Sequence, residues 1–230
     1  KAKAQAEAQK AKEKAEAEKL VAECCQAGSA IITKVEQKEK SEKPPALFDL
    51  TSLQREANRQ LGFTAQQTLD YTQALYEKKL VTYPRTDSRY LTDDMAPLVP
   101  ELVSVIQQSF QIQADVPAPV NAAQVINSKK VTDHHAIIPT MEVAKADIGK
   151  LKERNRKILY LISARVLTAT AAPYIYESHK CQITCNYHTF YLTAKKTKQE
   201  GFKSIENKLK QFFGVKSEKE EPELDIWAGK

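Results

Sequence analysis

Glycine is scarce, with 6 among 230 residues. A phosphate-cradling loop between strand and helix needs several glycines close together, and none is grouped that way, which sets aside bound ATP and NAD. Cysteine is scarce too. Cys24 and Cys25 are adjacent, and Cys181 and Cys185 are four apart, so neither pair has the C-x-x-C spacing of a zinc site. They read as reduced thiols of a cytoplasmic protein. No apolar run approaches the roughly 18 residues needed to span a bilayer, and no signal peptide opens the chain, so no membrane partner is expected. The chain starts on Lys1, inside a charged helix-like run, and reads as a piece of something longer. A strong excess of one charge is also lacking. Lys and Arg number 35 against 29 Asp and Glu, for a net charge of +6. That mild basic balance leans toward an anionic partner, most commonly nucleic acid.

Hydrophobic residues make up 42% of the chain, enough for a core. Residues 1–23 are nearly all good helix formers whose apolar members are mostly alanine, which predicts a solvated helix with a thin buried stripe. Residues 29–38 alternate and predict a strand, followed by a linker or strand end at 38–45. Thr51 with Gln54, and Thr64 with Gln67, fit the capping box of a helix start. Leu53, Ala57 and Leu61 share one helix face, and Gly62 stops that helix. A second helix is expected over 65–79, with Leu69, Leu75 and Tyr76 facing inward. Two helices joined by a short glycine-containing turn form a helix-turn-helix, found both in DNA-binding winged helices and in ordinary cores. Further helices are expected from Thr92 to near Phe110 and over 151–171, ended by Pro173, with a loop at 114–120. Residues 123–131 fit no single period. Residues 174–197 alternate β-branched and aromatic residues and predict two or three antiparallel strands. Residues 204–222 read as charged and irregular, with room for a short helix.

One stretch fits neither core nor linker. Residues 80–91 read LVTYPRTDSRYL. Tyr83 precedes Pro84, which forces extended backbone, and Arg85, Thr86, Asp87, Ser88 and Arg89 crowd after it. A tyrosine can serve as a covalent nucleophile, but its phenol has a pKa near 10 and needs help at neutral pH. Arg85, on the same side of an extended segment, offers a guanidinium suited to a phosphate. Downstream, TDHHAIIPT at 132–140 places His134 and His135 before an apolar run. From these residues alone two readings stand: a reactive tyrosine with basic neighbours, and one of nine tyrosines in an ordinary loop.

LVTYPRTDSRYL closely resembles the active-site segment of type IA DNA topoisomerases, especially the bacterial topoisomerase III branch. The resemblance extends to PPALFDLTSLQREANRQLGFTAQQTLDYTQALYEKKL before it, and to KKVTDHHAIIPT and KILYLISARVL after it. Together these cover residues 44–168 in order. The resemblance implies that Tyr83 is the nucleophile, that Arg85 contacts the scissile phosphate, and that His134 is the histidine of the family's H-x-A-I motif. It implies DNA contacts from Gln54, Arg55, Thr86, Asp87, Ser88, Arg89 and Lys130. It also implies a multidomain α+β protein: a helix-turn-helix or winged-helix-like tyrosine domain at 46–171, flanked by parts of a β-rich arch-forming domain at 1–45 and 172–230.

The expected partners are single-stranded DNA and the remaining domains of a parent enzyme. Family members need a Toprim domain carrying a glutamate and an acidic Mg²⁺ site built on an Asp-x-Asp-type motif. No such motif occurs in this sequence, so no metal is expected in this chain. Many relatives have two adjacent arginines where this chain has Ala164 and Arg165, which leaves a DNA contact from that helix open. A non-enzymatic helix-turn-helix module is the alternative from another class, and a fragment whose basic charge is incidental is a third.

Overall fold

In the computed structural model, residues 2–110 and 120–214 are described, with side chains from residue 9 onward except Ala11. The chain forms two compact units. The smaller holds residues 1–40 and 176–197, and the larger holds residues 41–175 and the chain from 198 through its last described helix.

The smaller unit begins with helix α1 (Ala2–Ala27). Its exposed flank is laced by ion pairs four residues apart, Lys12–Glu16, Lys14–Glu18 and Lys19–Glu23. Each is worth only a few tenths of a kcal/mol. Strands β1 (Ile31–Glu42), β2 (Tyr174–Cys185) and β3 (His188–Gln199) form an antiparallel sheet in that order. Asn186 and Tyr187 join β2 to β3 with φ of 46° and 65°. Positive φ at both central residues is the two-residue hairpin turn whose twist matches the strands. Near that turn, the Cys185 thiol reaches the Cys24 carbonyl at 3.6 Å, and His188 pairs with Glu23 at 3.0 Å. Strand β1 runs to Glu42, so most of the 38–45 stretch is strand rather than linker.

The larger unit is built on helices α2 (Leu50–Leu61), α3 (Ala65–Glu77), α4 (Leu98–Phe110), α5 (Glu153–Ala169) and α6 (Phe202–Phe213). Helix α5 lies at its centre, against α2, α3, α4 and α6. Its Ile158, Leu159, Leu161, Ile162 and Leu167 are fully buried. The first capping box differs from the sequence reading. Asp49, not Thr51, is the N-cap: its carboxylate accepts from the Ser52 N–H, and the Ser52 hydroxyl accepts from the Asp49 N–H. Asp49 wins because its backbone is already extended. Gly62, at φ 69°, closes α2 as expected, and Thr64 with Gln67 caps α3 as expected.

The inward face of α3 is Thr68, Thr72 and Leu75, whereas Leu69 is half-buried and Tyr76 is 40% exposed. The two threonines tolerate burial because each hydroxyl donates to the carbonyl four residues back. Helix α3 ends at Glu77, short of the expected Lys79, which takes φ 60°. The stretch begun at Thr92 is a short 3-10 turn followed by α4, whose Pro100 sits in the first turn, where its missing N–H costs no bond. Helix α6 fills much of the stretch read as having room for a short helix, starting two residues before it, and it buries Phe202, Ile205 and Leu209. The expected loop at 114–120, Val120 apart, and residues 215–222 lie outside the described residues.

Candidate active site

Three extended segments meet beneath Tyr83. Phe48 pairs with Ile137 and Val81 pairs with Pro139, both antiparallel, so the strip 136–140 lies between the other two. The Ile137 N–H donates to Phe48 O at 2.8 Å, Thr82 N–H to Ile138 O at 2.9 Å, and Thr140 N–H to Leu80 O at 3.0 Å. The Thr82 hydroxyl adds a second stitch, donating to Ala136 O and accepting from Ile138 N–H. Leu47, Phe48, Val81, Ala136, Ile137 and Ile138 are buried, so apolar burial drives this assembly and the bonds set its register.

That register brings the residues before the strip against the residues after Val81. The rings of Tyr83 and His134 lie 4.4 Å apart between centroids, tilted by 45°. The Tyr76 ring meets Tyr83 edge-on from α3, at 5.5 Å and 76°. Arg85 is exposed and donates to Gln73 Oε1 at 3.2 Å. Arg85 and His134 line an open groove with Thr86, Asp87, Thr132, Asp133 and the start of α2. His135, by contrast, is half-buried, with Nδ1 held 2.8 Å from Ala136 O. The structure therefore places the rings of Tyr83 and His134 together and puts Arg85 and His134 on one groove.

The other expected site residues have varied placements. The buried Thr86 hydroxyl donates to His134 O at 2.8 Å, and Thr86 O accepts from Leu50 N–H at 3.1 Å. Thr86 thus ties the tyrosine segment to both the histidine segment and α2. Buried Ser88 donates to Lys130 O at 2.9 Å, and Arg89 Nε donates to Leu47 O at 3.1 Å. Gln54 donates to Ala65 O across the α2–α3 turn. Asp87 is exposed and accepts from the Thr132 hydroxyl. The exposed Lys130 ammonium lies 4.8 Å from the centre of the Tyr90 ring, and Arg55 is exposed on α2. Arg165 faces inward. Its guanidinium stacks on Phe48 at 4.1 Å, donates to Ala46 O and lies 4.0 Å from Glu56. Burial lowers its pKa, opposed by the carboxylates of Glu56 and Glu206.

Residues 1–225 match the family model described as DNA topoisomerase. The DNA topoisomerase 3 of Bacillus licheniformis is 38% identical over 181 residues, which is 76% of this chain and 25% of that protein. The DNA topoisomerase 3 of Staphylococcus saprophyticus is 39% identical over 186 residues, 78% of this chain and 26% of that protein. This chain belongs to the DNA topoisomerase family. Within the family it is of type IA and topoisomerase III-like. It spans about a quarter of the length of these curated relatives. A solved structure of full-length topoisomerase I from Thermotoga maritima matches with a TM-score of 0.63 and 23% identity, covering 87% of this chain and 32% of that one, a likeness of fold.

Within this topoisomerase chain, sequence reasoning did not single out Thr82 or Gln73. Thr82 sits in the quoted motif, but nothing in its spacing shows that its hydroxyl bridges to a strip more than fifty residues away. Gln73 carries no signal beyond its place three residues before Tyr76 on α3.

Proposed function

We propose that this chain is the tyrosine-bearing part of a type IA topoisomerase whose parent cuts and reseals one DNA strand without ATP. Tyr83 attacks a backbone phosphodiester. The bond from the phenolic oxygen to phosphorus forms as the bond to the 3′-oxygen breaks, giving a 5′-phosphotyrosyl link and a free 3′-hydroxyl. The phenolic proton leaves, and the 3′-oxygen takes one up. The phosphodiester's free energy is kept in the new bond, so the reverse attack reseals after another strand passes. Arg85 supplies charge where phosphate oxygens gain negative character. His134, against the Tyr83 ring, is suited to hydrogen-bonding the phosphate or moving the phenolic proton. In this reading α2 and α3 form the helix-turn-helix of a winged-helix-like tyrosine domain over 46–171, and residues 1–45 and 172–230 contribute to a β-rich arch.

Single-stranded DNA is the proposed substrate, with exposed Arg55 and Lys130 as proposed backbone contacts, while Gln54, Thr86, Asp87, Ser88 and Arg89 are proposed to shape the pocket or meet the strand. The Mg²⁺ expected for the parent does not fit this chain: among the described residues no group of three or more His, Cys, Asp or Glu side chains is arranged to hold a metal. It is assigned to Toprim carboxylates elsewhere in the parent, and no step above runs through it. Action on DNA would place the parent in the cytoplasm. Among the described residues no helix is long and apolar enough to cross a membrane.

The His134 ring against that of Tyr83, with Arg85 and His134 lining one groove, carries this reading above a non-enzymatic module. In the full-length protein, Tyr83→Phe should abolish covalent trapping of 3′-labelled single-stranded DNA and relaxation of supercoils, while single-strand binding persists. Normal relaxation by that variant would refute the assignment.

A further inference from the structure

Helix α3 is matched to the reactive segment in spacing. Gln73 and Tyr76 are three residues apart, so they neighbour each other on one helix face. Tyr83 and Arg85 are two apart in an extended segment, so they project to one side. The two pairs meet one to one. Gln73 Oε1 accepts from Arg85 Nη1 at 3.2 Å, and the Tyr76 ring meets the Tyr83 ring edge-on with centroids 5.5 Å apart. An edge-to-face pair fixes ring orientation, because the positive rim of one ring favours the negative face of the other. The planar guanidinium likewise has its direction set by any acceptor that holds one of its donors.

The turn between the two pairs is held tightly. Lys79 takes φ 60°, a left-handed conformation that side chains rarely adopt. Its N–H donates to Tyr76 O at 2.8 Å, its carbonyl accepts from the Thr140 hydroxyl, and Leu80 N–H donates to Leu75 O at 3.0 Å. The fold therefore keeps a costly backbone state at the point that sets where the segment after α3 lies across its last turn. Neither Gln73 nor Tyr76 belongs to the buried core. Gln73 is half-buried and Tyr76 is 40% exposed.

We propose that Gln73 and Tyr76 are positioning residues: the last turn of α3 is a template that fixes the Arg85 guanidinium and the Tyr83 phenol relative to each other before DNA arrives. The gain is preorganisation of nucleophile and charge, which acts on the chemical step rather than on DNA affinity. This rests on the proposed cleavage chemistry.

The test uses the full-length protein, 3′-labelled single-stranded DNA and Mg²⁺, with the covalent adduct followed in single turnover. Gln73→Met keeps the length and removes the acceptor, and Gln73→Glu keeps an acceptor oxygen. Gln73→Met should slow adduct formation about 10-fold, short of the order of 100-fold for deleting a positioned donor outright. Gln73→Glu should restore most of the rate. Tyr76→Leu should slow the reaction and Tyr76→Phe should not, because the ring and not the hydroxyl makes the contact. Single-strand affinity should be unchanged in all four. Parental rates in Gln73→Met and Tyr76→Leu would overturn the inference, as would losses that track weakened DNA binding or are not rescued by Gln73→Glu and Tyr76→Phe. Tyr83→Phe, run alongside, separates the two failures. An adduct in that variant removes the cleavage reading itself, whereas no adduct there, with unaffected α3 variants, removes only the template.

Discussion

His134 and His135 are neighbours in sequence and face different tasks. His134 is exposed with its ring 4.4 Å from that of Tyr83, while His135 turns its Nδ1 onto a backbone carbonyl. His134→Ala should lower single-turnover cleavage by the full-length protein on the order of 100-fold, the scale of one acid–base or phosphate-binding group. His135→Ala should change it only a few-fold. The reverse order would mean that the histidine register is misread.

The same contrast shows where sequence reading stops. Tyr83, Arg85 and His134 could be singled out in the sequence because the motifs that carry them are specific. The hydrogen bonds that Thr86, Ser88, Arg89 and Gln54 make within the fold could not. A polar side chain in a loop serves a phosphate or an orphaned backbone carbonyl equally well, and only the fold shows that each of these already donates to a carbonyl.

Among the elements, α2 offers two competing caps a short distance apart. Thr51 with Gln54 fits the capping pattern in sequence, but the capping hydrogen bonds are made between Asp49 and Ser52. Asp49→Ala should cost about 1 kcal/mol in urea unfolding of the chain, and Thr51→Ala only a few tenths. A larger loss at Thr51 would restore the cap read from sequence. Helix α6 was read only as room for a short helix. Its apolar positions Phe202, Ile205 and Leu209 follow helical spacing, but lysines and a glutamate crowd between them and weaken the signal.

Where α2 faces α6, Glu56 of the one and Glu206 of the other pull in opposite directions with pH. Glu56 is pushed up by burial, but its bonds to Arg59 and Gln60 and the charge of Arg165 outweigh this and leave it below 4.5. Its ionised form is therefore favoured in the fold, and that stability is present above the unfolded value and lost as pH falls through the folded one. Burial raises Glu206 above 4.5 despite Arg165, Lys210 and Lys203. Its ionised form is disfavoured in the fold, so its contribution is most favourable below the unfolded value and declines as pH rises through the folded one. Glu56→Gln should thus lower the urea midpoint at neutral pH, and Glu206→Gln should raise it. Both differences should shrink near about pH 3, where both carboxyls approach protonation. Equal shifts at both pH values would show that packing, not charge, sets these effects.

For the whole molecule, the mild net charge of +6 and the exposed Arg55, Arg85 and Lys130 predict single-strand binding that weakens as salt rises. On its own, this chain should leave no covalent adduct on labelled single-stranded DNA, even with Mg²⁺ added. It holds the proposed nucleophile and its neighbours Arg85 and His134, but the proposed leaving-group acid and metal lie elsewhere, and acid–base help alone is worth roughly 100- to 10,000-fold. A Tyr83-dependent band from this chain would mean that the active site is complete within it. The order of helices and strands was legible along the chain because each element carries its own periodicity. The meeting of residues 47–49, 80–82 and 136–140 was not, since no local pattern records which distant segments pair.

That pairing also sets a timetable. At about 5–20 residues per second, a ribosome adds His134 several seconds after Tyr83. Until then the strip that seats the tyrosine does not exist, and the Thr82 hydroxyl has neither Ala136 nor Ile138 to bridge. A nascent chain therefore carries Tyr83 unseated while it is being made. Translation arrested between the two segments leaves a product that bears Tyr83 without the neighbours that orient it.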